Sequence, residues 1–253
     1  MMHTDRRCGF VSFSGIDGAG KSTQIEALRA RLEQNGIRVR VMTFWDDVAC
    51  FTSLREKSGH RLFGGDRGVG RPEAPINRRD KNVRSRAMTL VRLCLYSADA
   101  LSLRRQVRKA LGAGGQFLIC DRYAYDELVN LSLRNPFARI YVRLILRLVP
   151  RPDVRYLLDA DPIQARARKP EYPLDFLYTC RESYLTLSEL GARFAIIPPM
   201  SVPEVSREVW QRVSMESGKK RSARDESFKD DVRAGGLDAQ APQDNATDWR
   251  ACS

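Results

Sequence analysis

The sequence predicts an α/β fold in which a parallel sheet is covered by helices on both faces, and three observations carry that expectation. Short apolar runs of strand length alternate with segments of helical period from Phe10 to about Val213. A glycine-rich octapeptide, Gly15-Ile16-Asp17-Gly18-Ala19-Gly20-Lys21-Ser22, stands between the first strand-like run and the first helical segment. Beyond Ser214 the alternation stops. Residues 215–253 hold seven basic and eight acidic side chains with few large apolar ones, too little apolar surface to offset the entropy of ordering. One domain over residues 8–213 and a disordered tail over 214–253 are therefore expected.

Phe10-Val11-Ser12-Phe13 reads as a short buried strand. Ile25, Leu28 and Leu32 then recur at helical spacing until Asn35-Gly36 stops the helix. Ile37 to Phe44 alternates with period two, as a second strand does. A helix is expected from about Arg84 to Leu111, closed by Gly112 and Gly114. A strand from Phe117 to Cys120 follows and ends in Asp121. Helical spacing resumes over 126–133 and 137–148, separated by Pro136. Val154 to Asp159 is a strand, Pro162 to Arg168 a short helix, Asp175 to Leu190 a helix and Phe194 to Ile197 the last strand. A final helix starts at Pro203 and places Val205, Val209 and Val213 on one stripe.

Composition narrows the chemistry. With 43% apolar residues the chain can bury a sizeable core, and its N-terminus lacks the apolar stretch of a signal peptide. A cytoplasmic protein is expected. Six widely spaced cysteines form no C-x-x-C pair, so neither a zinc site nor a disulfide framework is suggested. Only His3 and His60 are present, which leaves carboxylates, lysines and arginines to carry any reaction. The net charge is +12, and residues 57–86 supply half of it, with nine basic against three acidic side chains. That stretch is rich in Gly and Pro and reads as a flexible insertion, either a solvated loop or a flap over an anionic substrate. Aromatic residues are not interleaved with its charges, so nucleic acid is not the expected partner, and no apolar run is long enough to span a membrane.

The octapeptide has the G-x-x-x-x-G-K-[ST] spacing, in which glycines turn successive backbone N–H groups around a polyphosphate. Lys21 would reach the outer phosphates, and the Ser22 hydroxyl would complete the shell of a Mg²⁺ ion. In a parallel sheet the residues just after each strand gather where ligands bind. Those positions are Asp17 in the loop, Trp45-Asp46-Asp47, Asp121-Arg122-Tyr123 and Asp159-Ala160-Asp161. Asp121 reads as a buried strand's carboxylate delivered toward the metal with Arg122 as an adjacent guanidinium for a transferable phosphate, or else the two form a structural ion pair. Residues 164–174 carry Arg166, Arg168 and Lys169. They read either as a solvated helix end or as a lid whose cations offset charge on a migrating phosphoryl group.

These stretches, Phe13 to Gln24, Leu95-Tyr96-Ser97-Ala98-Asp99, Cys120 to Tyr123 and Leu157 to Pro162 leading into Arg166, resemble the thymidylate kinases of the nucleoside monophosphate kinase group. The resemblance covers about residues 9–200 and implies a P-loop kinase fold. It also implies a transfer of the γ-phosphoryl of ATP to dTMP with Mg²⁺ as cofactor. It places residues 15–23 (Gly15, Ile16, Asp17, Gly18, Ala19, Gly20, Lys21, Ser22 and Thr23) and Arg166 on ATP, and Ser22 and Asp121 on the metal. Asp17, Trp45, Tyr96, Arg122 and Tyr123 fall on the acceptor, with Lys21, Asp121, Arg122, Arg168 and Lys169 catalytic. It further implies pairing of the long helix with its copy in a homodimer. Two positions depart from the family pattern. Thr43-Phe44-Trp45-Asp46-Asp47 stand where an Arg-Glu-Pro-Gly-Gly segment is usual, leaving Arg55 or the basic loop to supply an arginine, and Ala100 stands where the base-reading helix carries arginine. A kinase of the same fold with another acceptor, and a non-catalytic or regulatory ATP-binding protein, are the alternatives open at this point.

Overall fold

Strand β1 (Phe10–Ser14) is buried at every position, Ser12 and Ser14 included, as befits a strand covered on both faces. In the computed structural model, which describes residues 9–48, 86–114 and 116–216, it is the middle strand of five. The basic segment before Arg86, with Arg55 and His60, lies outside the described residues, as do His3 and the chain beyond Glu216.

Helix α1 (Lys21–Gln34) follows the glycine loop and turns Ile25, Leu28 and Leu32 to the sheet. It ends as expected: Asn35 donates its N–H to the Leu32 carbonyl and Gly36 takes a left-handed φ of 72°. Strand β2 (Arg38–Thr43) is an edge strand and only partly buried. It is followed by α2 (Arg86–Gly112), β3 (Gln116–Asp121), α3 (Ala124–Leu128) and α4 (Pro136–Leu148). Then come β4 (Val154–Leu158), α5 (Pro162–Arg168), α6 (Leu174–Leu187), β5 (Ala195–Ile197) and α7 over residues 202–216.

Several boundaries differ from expectation, each for a local reason. β2 stops before Phe44, because the Asp47 carboxylate accepts the Thr43 N–H at 2.8 Å and draws Phe44–Val48 into a π-helical turn that buries Phe44 and Val48. The helix expected over 126–133 instead starts at Ala124 and is spent by Leu128, where Leu131 N–H closes a turn on the Leu128 carbonyl. Pro136 is the first residue of α4, capped by the Asn135 side chain on the Phe137 N–H. α6 gives way after Leu187 to a π-helical turn, Ser188–Ala192, in which Gly191 has φ 124°. α7 runs to residue 216, with Val213 buried, so the folded domain extends past the expected boundary at 213.

The five strands are parallel in the order β2-β3-β1-β4-β5. α1 and α7 cover one face, where Ile25, Leu28, Leu32, Val209 and Val213 meet Phe13, Ile119 and Tyr156. α2, α3, α4 and α6 cover the other through Leu103, Val107, Leu128, Val142, Ile145, Leu177 and Leu187. Two details tie α7 down: the Tyr156 hydroxyl donates to the Val209 carbonyl at 2.8 Å, and Gln24 accepts from Ser206 at 2.7 Å. Leu32 is 1% exposed and Ile163 is 58% exposed. Leu32→Ala is therefore expected to lower unfolding free energy by about 3 kcal/mol, and Ile163→Ala by less than about 0.5 kcal/mol. Urea denaturation measures both, and equal losses would show that α1 does not seal a core.

Candidate active site

Parallel pairing puts all carboxyl ends at one edge, and the register is specific about neighbours. Phe13 lies opposite Asp121, Ser14 opposite Leu157 and Thr43 opposite Asp121. The loop after β1 therefore emerges between the ends of β3 and β4, at the switch point where ligands collect in such sheets. Its glycines are needed sterically. A Cβ on Gly15, whose φ is 143°, would come within 2.6 Å of the Leu158 carbonyl oxygen, and one on Gly18 would collide with the Ala165 carbonyl. The loop is thus pressed against α5 at Ala165, in the helix that carries Arg166 and Arg168 and is followed by Lys169. Gly20 takes a left-handed turn and starts α1, so the helix's unpaired N–H groups and positive dipole end face the loop.

Lys21 is buried, and its ammonium donates to the carbonyls of Gly15 at 2.8 Å and Ile16 at 3.0 Å. Burial, reinforced by the Arg122 charge, lowers its pKa to about 8 despite nearby Asp17, Asp126 and Asp121. Ser22 and Thr23 are exposed at the first turn of α1. Asp121 is half-buried at the end of β3. Burial raises its pKa, partly offset by Arg122 and Lys21.

Arg122 is one of two non-glycine residues with positive φ among the described residues, at 68°, and its N–H is held by the Phe13 carbonyl at 3.1 Å. Its guanidinium is ion-paired to Asp17 in the loop and lies 3.6 Å from Asp126. Burial opposes its charge, but these two carboxylates hold it firmly protonated. Burial would raise Asp17, and Arg122, Lys21 and Lys169 together bring it below the usual carboxylate range. Lys169 approaches Asp17 at 4.0 Å while holding Glu171 at 3.2 Å.

The structure does not gather all the expected residues. Arg168 is exposed and donates to its own helix at the Gln164 carbonyl, 3.3 Å away, and Arg166 is half-buried at the same helix end. Trp45 is exposed on the π-helical turn, edge-on to Phe44. Tyr96 is buried in α2. The Tyr123 ring is wholly enclosed, and its hydroxyl donates to the Pro150 carbonyl at 2.5 Å. Ala100 is likewise enclosed, at 1% exposure within the core. Asp159 is occupied by Arg181 through two bonds of 2.6 and 2.7 Å, and Asp161 caps α5.

Sequence reasoning missed Asp126, Ser14 and Tyr184. Asp126 is buried and accepts from the Ser14 hydroxyl at 2.9 Å, the Tyr123 N–H at 2.9 Å and the Tyr184 hydroxyl at 2.7 Å. Its place three residues after a helix-capping position was a local signal. Tyr184 arrives from α6, 58 residues along the chain, and no local pattern announces it.

No protein-family profile matches the chain. A thymidylate kinase of Bifidobacterium longum (strain DJO10A) is 31% identical over 200 residues, which cover 74% of this chain and 88% of the relative. The chain belongs to the thymidylate kinase family. A probable thymidylate kinase of Methanosphaera stadtmanae is 28% identical over 70% of this chain and 83% of its own length. For a thymidylate kinase of Deinococcus radiodurans the figures are 27%, 81% and 96%. The chain is thus similar to thymidylate kinases from both bacteria and an archaeon, and its family is that of an enzyme acting on nucleotides.

Lys21 carries a consequence for pH. Between about 8 and its ordinary 10.5 the unfolded chain binds more protons than the folded one, so folding gains stability as pH rises through that window. The melting temperature of ligand-free protein, relative to Lys21→Met, is expected to rise from about pH 7 to about pH 10. A constant difference would mean that Lys21 stays protonated in the fold.

Proposed function

We propose that this thymidylate kinase family member transfers the γ-phosphoryl group of ATP to dTMP, giving ADP and dTDP. The observation that carries the reading is the closeness of Lys21, in the glycine loop, to the Asp17–Arg122 pair, which makes one cluster suited to two anionic substrates. The loop N–H groups, α1's N-terminus and Lys21 bind the donor phosphates, Thr23 supports them and Arg166 flanks the adenine. Asp17 and Arg122 satisfy each other in the free protein. The acceptor replaces each partner, its sugar hydroxyl donating to Asp17 and its phosphate accepting from Arg122. Trp45 and Tyr96 border the acceptor.

The acceptor phosphate oxygen, already ionised, attacks the γ-phosphorus in line. A P–O bond forms as the bond to the β–γ bridging oxygen breaks, and the electron pair leaves with ADP. No general base is needed. Lys21, with Arg168 and Lys169 closing from the lid, offsets the charge spread over the migrating group and excludes water. Ser22 and Asp121 fit a Mg²⁺ ion: the hydroxyl is exposed on α1's first turn, and the register sets the carboxylate beside the end of β1. Two oxygen donors suffice for an ion that takes its other ligands from phosphates and water, where it would neutralise phosphate charge.

We read residues 9–216 as the catalytic unit, working in the cytoplasm without nucleic acid. The thiols of Cys94 and Cys120, which form no disulfide, support that compartment. Among the described residues no helix is long and apolar enough to cross a membrane. Surface apolarity supports a homodimer. Leu90, Val91 and Leu101 are exposed on α2, Phe137, Ile140 and Leu144 on α4, and the two helices meet where Ser97 contacts the Tyr141 hydroxyl at 3.1 Å.

Purified protein with Mg-ATP is expected to release ADP faster with dTMP than with other nucleoside monophosphates, and Lys21→Ala is expected to lose at least about a hundredfold in kcat. ADP release at the acceptor-free rate throughout the panel would refute the kinase reading. Ile140→Asp is expected to shift the sedimentation coefficient from dimer to monomer; an unchanged value would remove this face from any interface.

A further inference from the structure

We propose that Asp126 is the positioning residue that aims the Arg122 guanidinium at the acceptor phosphate. This rests on the kinase reading above and deepens it. Arg122 has two carboxylates, and they differ in what they can do. Asp17 sits on the loop and is the partner that an acceptor hydroxyl displaces. Once it is engaged by the acceptor, Arg122 needs another counter-charge to remain in place.

Asp126 is built to be that charge. Its side chain is 3% exposed, and three donors from three parts of the fold fix it: the Ser14 hydroxyl at the end of β1, the Tyr123 N–H at the start of α3 and the Tyr184 hydroxyl from α6. Its Oδ1 lies 3.6 Å from Nη1 of Arg122, close enough for an ion pair and too far for a hydrogen bond. The carboxylate thus holds the guanidinium by charge and leaves its N–H groups free for phosphate oxygens. The left-handed backbone at Arg122 supplies the other half of the aim, since the Phe13 carbonyl holds its N–H and the side chain leaves the strand end toward the loop.

A carboxylate that only braced α3 and α6 would, when neutralised, weaken the fold and disturb both substrates alike. A positioning charge affects one. Asp126→Asn keeps the shape: its carbonyl can accept the Tyr123 N–H while its amide donates to the Tyr184 oxygen, freeing that hydroxyl toward the Gly15 carbonyl 3.4 Å away. In full-length protein, Asp126→Asn is expected to raise the KM for dTMP about tenfold, with the KM for ATP within about twofold of wild type. Tyr184→Phe, which loosens the same carboxylate and keeps its charge, is expected to raise the dTMP KM by a smaller factor, and it serves as the test if Asp126→Asn does not fold. Unchanged dTMP KM in a folded variant, or equal rises for both substrates, overturns the proposal while leaving the kinase reading intact. Wild-type protein that phosphorylates no nucleoside monophosphate overturns both.

Discussion

Two cations, Lys21 and Arg122, share one partly buried space at the end of β1, and it is tolerable only because Asp17, Asp121 and Asp126 are there to offset them. Neither charge could be placed so far from water alone. The cost is visible at Lys21, which burial and the Arg122 charge bring toward neutrality, and Arg122 escapes the same fate because two carboxylates flank it. Under the kinase reading, a polyphosphate entering this space takes over from carboxylates as the partner of those cations. The site is thus poised electrostatically before any substrate arrives, which is how fixed charges lower a barrier without reorganising during the reaction.

The sheet is what allows those charges to be so close. β1 lies between β3 and β4, so a loop leaving it has a carboxylate-bearing strand end on one side and the end of β4 with Ala165 of α5 on the other. The glycines at 15 and 18 let the loop sit against the carbonyls of Leu158 and Ala165 with no side chain between. Backbone strain is spent in the same place, at Arg122, where the surrounding structure holds a left-handed turn that an arginine would not adopt alone. The two apolar layers on either face of the sheet supply the rigidity that holds these positions.

The surface tells a second story through α2 and α4. Large apolar side chains at Leu90, Leu101, Phe137, Ile140 and Leu144 face outward on neighbouring helices, although the helices already bury Leu103, Val107, Val142 and Ile145 inward. A helix that is apolar on both sides has two partners to satisfy. That is the physical basis for reading this face as a contact between copies, on the side of the molecule where Ser97 and Tyr141 join the two helices.

Much was legible in the chain itself. The strands and helices followed from apolar periodicity, and the octapeptide from Gly15 to Ser22 stood out because its function depends on backbone shape, which local sequence encodes. Asp121 and Arg122 stood out as candidates because a parallel sheet brings strand ends together. What the sequence determined by itself was therefore the order of elements and the shape of the glycine loop. Tertiary structure alone decided which side chains share the site. Tyr123 looked like a ligand residue and turned inward; Asp126 looked like one more helical carboxylate and became the buried partner of Arg122. Ser14 and Tyr184, far apart in the chain, meet on that carboxylate. The reason is that local pattern reports which face of an element is apolar, whereas the neighbour of a polar group is set by how distant elements dock.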